Sequence, residues 1–141
     1  MSDDFIDSSV LVYLVDESNA EKRRIAEQVA RSALDEGTGS ISFQVVQETL
    51  NVVTGTKLVT PMTPLDAERF LATILDPLWK VMPSRELYRR CLEIKARYRY
   101  SFYDSLIIAA ALEDGCTQLL SEDLQDGQRI EGLVITNPFR Q

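Results

Sequence analysis

Short runs of strand-forming residues alternate with longer helical patterns along this chain of 141 residues. The segments between these runs carry apolar residues at helical spacing, as expected of helices that cover a sheet. This alternation is typical of an α/β fold on a mainly parallel sheet, and we expect about five short strands and five to seven helices in a doubly wound layer sandwich. The predicted strands are DDFID (3–7), GSISF (39–43), KVMPS (80–84), TQLLSED (117–123) and LVIT (133–136).

Several predicted helices have recognisable ends. Ser18 is a candidate N-cap for an amphipathic helix that Gly37 should stop, and Thr63 followed by Pro64 should begin another. The segment SSVLVYLVD (8–16) is ambiguous, because its β-branched residues suit a strand whereas its position suits a helix.

Composition places the chain among soluble, single-domain proteins, with 45% hydrophobic and 26% charged residues. No linker or repeat divides it, so we expect one domain over residues 1–141. The longest apolar runs, 10–15 and 106–112, are too short to span a membrane. The acidic start MSDDFID is unlike a signal peptide, which predicts a cytoplasmic protein with Cys91 and Cys116 reduced in the core.

The chain contains no histidine. This excludes Ser-His-Asp and Cys-His nucleophile systems, and also zinc sites with histidine ligands. A net charge of −7 argues against general binding of nucleic acid, although a local basic face remains possible. Carboxylates are therefore the groups from which we expect any chemistry.

Four carboxylates fall where a ligand would bind in such a fold. Asp7 ends the first predicted strand, Asp123 ends the fourth, and Asp104 begins the helix before the fourth strand. Glu48 lies on the helix after the second strand. Because ligands bind outside the carboxyl ends of parallel strands, we expect these acids to converge. Two simpler roles remain open: Glu48 on a solvated helix face, and Asp104 as a helix cap beside Ser101.

Converging carboxylates need a cation or a proton. Two charges about 4 Å apart repel by about 4 kcal/mol at an effective dielectric constant near 20. Ligation by oxygen alone favours Mg²⁺ or Mn²⁺ over zinc or copper, and such ions support phosphoryl and phosphodiester chemistry.

Four motifs in order resemble those of PIN-domain ribonucleases, and more closely VapC-type toxins of bacterial toxin–antitoxin pairs. They are FIDSSVLVYLVD, VVQETLN, SFYDSLIIAAALEDGC and LLSEDLQDGQ followed by NPF, and they extend over essentially the whole chain. The resemblance implies a PIN-like three-layer α/β/α sandwich. It also implies hydrolysis of RNA by metal-activated water, with a homodimer, a cognate antitoxin protein as partner and an RNA substrate. The residues that it implicates are Asp7, Glu48, Asp104 and Asp123 as catalytic metal ligands for Mg²⁺ or Mn²⁺, with Ser8 and Ser121 supporting them.

One residue departs from the family pattern. The first motif commonly reads Asp-Thr-Asn in the family, whereas this chain has Asp7-Ser8-Ser9. Ser9 replaces an amide that would help to fix Asp7, so we expect weaker metal binding without loss of activity.

The best candidate for contact with RNA is the basic and aromatic segment RRCLEIKARYRY (89–100), because arginine and tyrosine can grip phosphate and stack bases. Within it we expect Arg97, Arg99 and Tyr100 to contribute. A merely solvated helix face is the alternative.

Two other functions are alternatives to a nuclease. A receiver-like phospho-acceptor domain would need an acidic pair after the first strand and a lysine after the last; here Asp3 and Asp4 precede the first strand, and Asn137 and Pro138 follow the last. A non-catalytic interaction module on the PIN fold would have lost these acids or kept them as helix caps; all four are present, which argues against it.

Overall fold

The computed structural model of the protein describes residues 3–140. Its central sheet has six strands, and helices fill most of the chain between them. The strands are β1 (Asp4–Ile6), β2 (Gly39–Ser42), β3 (Trp79–Val81), β4 (Gln118–Leu120), β5 (Arg129–Ile130) and β6 (Leu133–Thr136). The helices are α1 (Ser8–Leu11), α2 (Ala20–Glu36), α3 (Phe43–Val53), α4 (Pro64–Phe70), α5 (Asp76–Leu78), α6 (Arg85–Tyr98) and α7 (Phe102–Glu113). A 3₁₀ turn (Val12–Leu14) follows α1, and a π-helical turn (Leu71–Leu75) joins α4 to α5.

The strand order is β3-β2-β1-β4-β6-β5, and every pair is parallel except β5 with β6. The predicted mainly parallel α/β sandwich is thus confirmed. The sequence pattern missed β5, because a strand of two residues has no period to detect. The ambiguous segment after β1 is helical, as α1 and the 3₁₀ turn.

The topology creates a switch point between β1 and β4. The chain moves from β1 outward through β2 to β3, then crosses back to β4 on the other side of β1. Crossovers between parallel strands are right-handed in nearly all proteins, which predicts the helices between β1 and β3 on one face of the sheet and α6 with α7 on the other. Ligands bind in α/β sheets at the carboxyl ends of the strands beside such a point.

Helix α7 is buried almost all round, which explains its continuous apolar sequence. Every residue from 105 to 111 is buried, and Asp104 lies just before this stretch. Cys91 and Cys116 are free and buried, as expected. No helix in residues 3–140 is long and apolar enough to cross a membrane.

The predicted helix ends are correct with one exception. Gly37 ends α2 in the left-handed conformation (φ 68°), and the Thr63 hydroxyl caps α4. The cap of α2 is Asn19, whose side chain accepts from the Lys22 amide at 3.0 Å, so the assignment to Ser18 was wrong. The Ser18 hydroxyl instead donates to Asp16 at 2.6 Å.

The first residue of β2 is a glycine because α2 packs directly onto it. A Cβ on Gly39 would lie 2.4 Å from the Ala33 Cβ and 3.0 Å from Leu78 Cδ2. Gly39→Ala should therefore destabilise the fold by about 1–3 kcal/mol through overpacking, measured by urea unfolding. In an Ala33→Gly background the same substitution should cost less, because the clashing methyl group is gone. Equal losses in both backgrounds would show that this contact does not require the glycine.

Candidate active site

The candidate site begins where β1 ends. Asp7 follows Ile6 directly, and its amide donates to the Leu120 carbonyl of the neighbouring β4 at 2.9 Å. Asp7 is also the N-cap of α1, since its Oδ1 accepts from the Ser8 amide at 2.8 Å. Strand pairing and helix capping together fix this carboxylate at the switch point.

The other oxygen of Asp7 is held by two hydroxyl groups. Oδ2 accepts from Ser121 Oγ at 2.8 Å and from Ser9 Oγ at 3.1 Å. Asp7 is only 7% exposed, so these bonds replace water around a buried carboxylate. The structure thus brings Ser121 against the acid that it was expected to support.

Ser9 is one of the groups that hold Asp7. Its hydroxyl donates to Asp7 and accepts from the Glu122 amide at 3.0 Å, linking the two loops that form the site. Ser9 thus contributes to fixing Asp7 although it is not the amide usual in the family. Its effect on metal affinity stays a prediction.

Glu48 lies beside Asp7 on α3 and is half-buried. Its Oε1 accepts from Ser8 Oγ at 3.1 Å, and its Oε2 accepts from Gln44 Nε2 at 3.3 Å. Glu48 is thus not merely part of a solvated helix face. Ser8 connects the two acids, because its amide bonds to Asp7 and its hydroxyl to Glu48.

The electrostatic environment favours the protonated form of Asp7. Burial is the main cause that raises its pKa from 3.8 to about 6. The Glu48 charge raises this pKa further, whereas the hydrogen bonds from Ser121, Ser9 and the Ser8 amide lower it. Among residues 3–140, no lysine or arginine forms an ion pair with Asp7 or Glu48.

Asp104 lies in the first turn of α7, but its side chain is not the cap. The Ser101 hydroxyl accepts from the Asp104 amide at 3.2 Å and caps the helix. In the described part of the chain, the Asp104 carboxylate makes no hydrogen bond and no ion pair. The helix dipole still favours an acid here, but the capping alternative does not account for this side chain.

Asp123 follows β4 and lies on the surface, close to Asp104. Partial burial is the first cause that raises its pKa, followed by the charges of Glu122 and Asp104. Its backbone is held by Ser121, whose Oγ accepts from the amides of Asp123 and Leu124 at 3.2 Å each. Ser121 therefore fixes the loop that carries Asp123 as well as the Asp7 carboxylate.

Two pairs of the predicted acids lie close enough for their charges to interact, Asp7 with Glu48 and Asp104 with Asp123. Residues 3–140 contain no group of three or more Asp, Glu, Cys or His side chains close enough to hold one metal ion. The predicted ligation of a metal by all four acids stays a prediction.

Glu122 belongs to a different network, which sequence reasoning missed. Its Oε1 accepts from the Tyr13 hydroxyl at 2.6 Å, and its Oε2 forms an ion pair with Lys22 on α2. The Lys22 ammonium also lies over the rings of Tyr13 (5.1 Å) and Phe139 (5.6 Å). This network anchors the loop of Ser121 and Asp123 to α2 and to the 3₁₀ turn. No motif in the sequence links its members.

The residues expected to contact RNA lie at the end of α6 and in the short connection to α7. Arg97 and Arg99 are exposed and form no ion pair among the described residues, and the Arg97 guanidinium lies 5.6 Å from the centre of the Tyr98 ring. Tyr100 donates to Gln128, and partial burial followed by the Asp104 charge raises its pKa. Tyr100 is therefore near the Asp104 side of the site.

The PIN domain family model matches residues 5–129. The chain belongs to the PIN domain family. This match rules out the receiver-like alternative and agrees with the order of motifs along the chain. No curated protein matched the sequence of this PIN domain.

Solved structures share the PIN fold of this chain at low sequence identity. VapC20 from Mycobacterium tuberculosis, a Sarcin-Ricin loop cleaving toxin, is 18% identical, with a TM-score of 0.60 over 85% of this chain and 89% of its own. A toxin–antitoxin complex from Klebsiella pneumoniae is 20% identical, with a TM-score of 0.65 over 95% of this chain and 96% of its own. DNA-bound VapBC from Salmonella typhimurium is 15% identical, with a TM-score of 0.69 over 98% of this chain and 99% of its own.

The raised pKa of Asp7 predicts how stability should depend on pH. The unfolded chain releases this proton near pH 3.8 and the folded chain near pH 6. Between these values the folded state binds more protons, so this carboxyl group's contribution to stability falls as pH rises, by about 3 kcal/mol in total. In metal-free buffer, Asp7→Asn should therefore stabilise the PIN domain more at about pH 7.5 than at about pH 5, measured by urea unfolding.

Asp35→Asn, an exposed substitution on α2, controls for the loss of one negative charge from this acidic protein. A stability difference for Asp7→Asn that is the same at both pH values would contradict the assigned environment of Asp7.

Proposed function

We propose that this PIN domain is a metal-dependent endoribonuclease and the toxin of a toxin–antitoxin pair. The observation that carries the proposal is the buried Asp7 carboxylate, fixed at the switch point beside Glu48 without a basic partner. A like-charged pair in such a place is unfavourable for folding, which is typical of functional carboxylates. The family match and the shared fold of VapC20, a Sarcin-Ricin loop cleaving toxin, support RNA as the substrate.

The residues present suit Mg²⁺ or Mn²⁺. All candidate donors are oxygens, and both acidic pairs lack a lysine or arginine partner among residues 3–140. Mg²⁺ is commonly bound by one or two carboxylates and keeps several water ligands, so it does not require a cage of three protein acids. Asp7 with Glu48 and Asp104 with Asp123 are the groups that would hold it.

Hydrolysis by water agrees with the other groups at the site. The chain has no histidine to activate a nucleophile, and the Ser9 and Ser121 hydroxyls are engaged with Asp7. In this proposal Glu48 orients an attacking water through a carboxylate oxygen, while the three donors to Asp7 keep that acid fixed. When bound, a divalent cation lowers the pKa of a water ligand and stabilises negative charge on phosphoryl oxygens.

We assign the RNA backbone to the surface at the end of α6. Arg97 and Arg99 supply positive charge there without carboxylate partners in the described chain, and Tyr100 lies near Asp104. Such cations are needed because the protein as a whole is acidic.

A cognate antitoxin is the proposed protein partner. Two of the structures that share the fold are a toxin–antitoxin complex and DNA-bound VapBC, which supports this class of partner. The homodimer and the cytoplasmic location stay predictions.

One observation favours a second candidate, a non-catalytic interaction module on the same fold. The described residues contain no group of three acids close enough for one metal ion. Cleavage assays with site variants separate the two functions.

Asp104→Asn should reduce RNA cleavage about 100-fold or more, because it removes a carboxylate that no protein group uses structurally. The free energy of unfolding should change by about 1 kcal/mol or less, since the cap of α7 comes from Ser101. Cleavage of labelled RNA is measured with Mg²⁺ or Mn²⁺ and again with EDTA, which should abolish it.

Ser101→Ala is the matched control on the same helix turn. It should lose about 1 kcal/mol of stability with the cap and retain cleavage below its unfolding temperature. If Asp104→Asn cleaved RNA at the wild-type rate, Asp104 would not be part of the active site. If the unmodified protein neither binds Mn²⁺ nor cleaves any RNA, the non-catalytic alternative is correct.

A further inference from the structure

Gln44 is a buried amide beside the acidic site, in the first turn of α3. It is only 3% exposed, whereas Asn51, which shares its helical face in the sequence pattern, is exposed. Polar side chains this deeply buried are normally held by hydrogen bonds that satisfy each polar atom.

The two N–H groups of Gln44 join two parts of the site. Nε2 donates to Glu48 Oε2 at 3.3 Å and to the Tyr103 carbonyl at 3.1 Å. Tyr103 immediately precedes Asp104 at the start of α7. One side chain therefore connects the helix that carries Glu48 to the turn that carries Asp104.

The carbonyl oxygen of the same amide has no partner. Gln44 Oε1 is buried and accepts no hydrogen bond within residues 3–140. An unsatisfied buried acceptor disfavours folding, and exchanging such a group for an apolar one of similar shape is often neutral or stabilising. The carbonyl of Tyr103 has a second partner available in the helix, the amide of Ile107. Stability of the fold therefore does not explain a glutamine at this position.

We propose that Gln44 is a positioning residue, which holds Glu48 at a fixed place relative to the first turn of α7 and thereby sets metal affinity and turnover. It acts through Glu48 and the backbone of Tyr103, without touching the RNA. The predicted effects of Gln44 on metal affinity and turnover rest on the proposed nuclease function. The link between Gln44 and Glu48 can be tested without metal and without RNA.

The test is Gln44→Met, which keeps the length of the side chain and removes both N–H donors. We expect the melting temperature to stay the same or rise, while the Kd for Mn²⁺, measured without RNA by electron paramagnetic resonance, rises about tenfold or more. The kcat for RNA cleavage should fall by a similar factor with little change in KM, because a buried residue makes no contact with the substrate.

Gln47→Met is the matched control, since Gln47 is exposed on the same helix. It should leave the Kd for Mn²⁺, kcat and KM unchanged. Two results would overturn the proposal: wild-type Mn²⁺ affinity and kcat in Gln44→Met, or a large fall in its melting temperature, which would assign Gln44 an ordinary structural role.

A double-mutant cycle in metal-free protein separates this inference from the proposed function. Gln44→Met and Glu48→Ala should be coupled by about fivefold in the unfolding equilibrium constant. Additive effects would show that Gln44 does not hold Glu48, whatever the protein's activity. Coupling in a protein that neither binds Mn²⁺ nor cuts RNA would uphold the link, but overturn the proposed nuclease and with it the effect of Gln44 on metal and turnover.

Discussion

The site depends on how one carboxylate is kept out of water. Asp7 is buried, yet the backbone amide of Ser8 and the hydroxyls of Ser9 and Ser121 supply the hydrogen bonds that water would otherwise provide. These donors come from both sides of the switch point, so they orient the acid and join the loops after β1 and β4. Without such a frame, a buried acid beside Glu48 would be much more costly to the fold.

This arrangement opposes folding. Hydrogen bonds lower the pKa of Asp7, but burial and the Glu48 charge prevail and raise it to about 6. Nearer the surface, partial burial and the charges of Glu122 and Asp104 raise the pKa of Asp123. Each acidic pair lacks a basic partner within residues 3–140, whereas Glu122, between Ser121 and Asp123, is fully engaged by Lys22 and Tyr13. The structure thus distinguishes acids that stabilise the fold from acids left available.

Much of the fold could be predicted because local rules govern it. Alternating strand and helix patterns predicted the sheet, and capping residues such as Thr63 and Gly37 marked helix ends. The position of Asp7 followed from parallel-sheet geometry alone. The features that the sequence did not predict depend on the folded environment of each residue. They are the donors to Asp7, the burial of Gln44, and the choice of Asn19 over Ser18 as a cap. The strand β5 was hidden for another reason, since two residues carry no periodic signal.

The hydrogen bond between Ser121 and Asp7 joins residues 114 positions apart. The central strand β1 therefore leaves one edge open until β4 is available to pair with it, late in synthesis. Contacts of such long range slow folding, because the closing of a long chain loop precedes the gain in free energy. On a ribosome, the Asp7 site stays incomplete until most of the protein has emerged. A nascent chain consequently lacks the assembled acidic site, because Ser121 is among the last parts of the site to be synthesised.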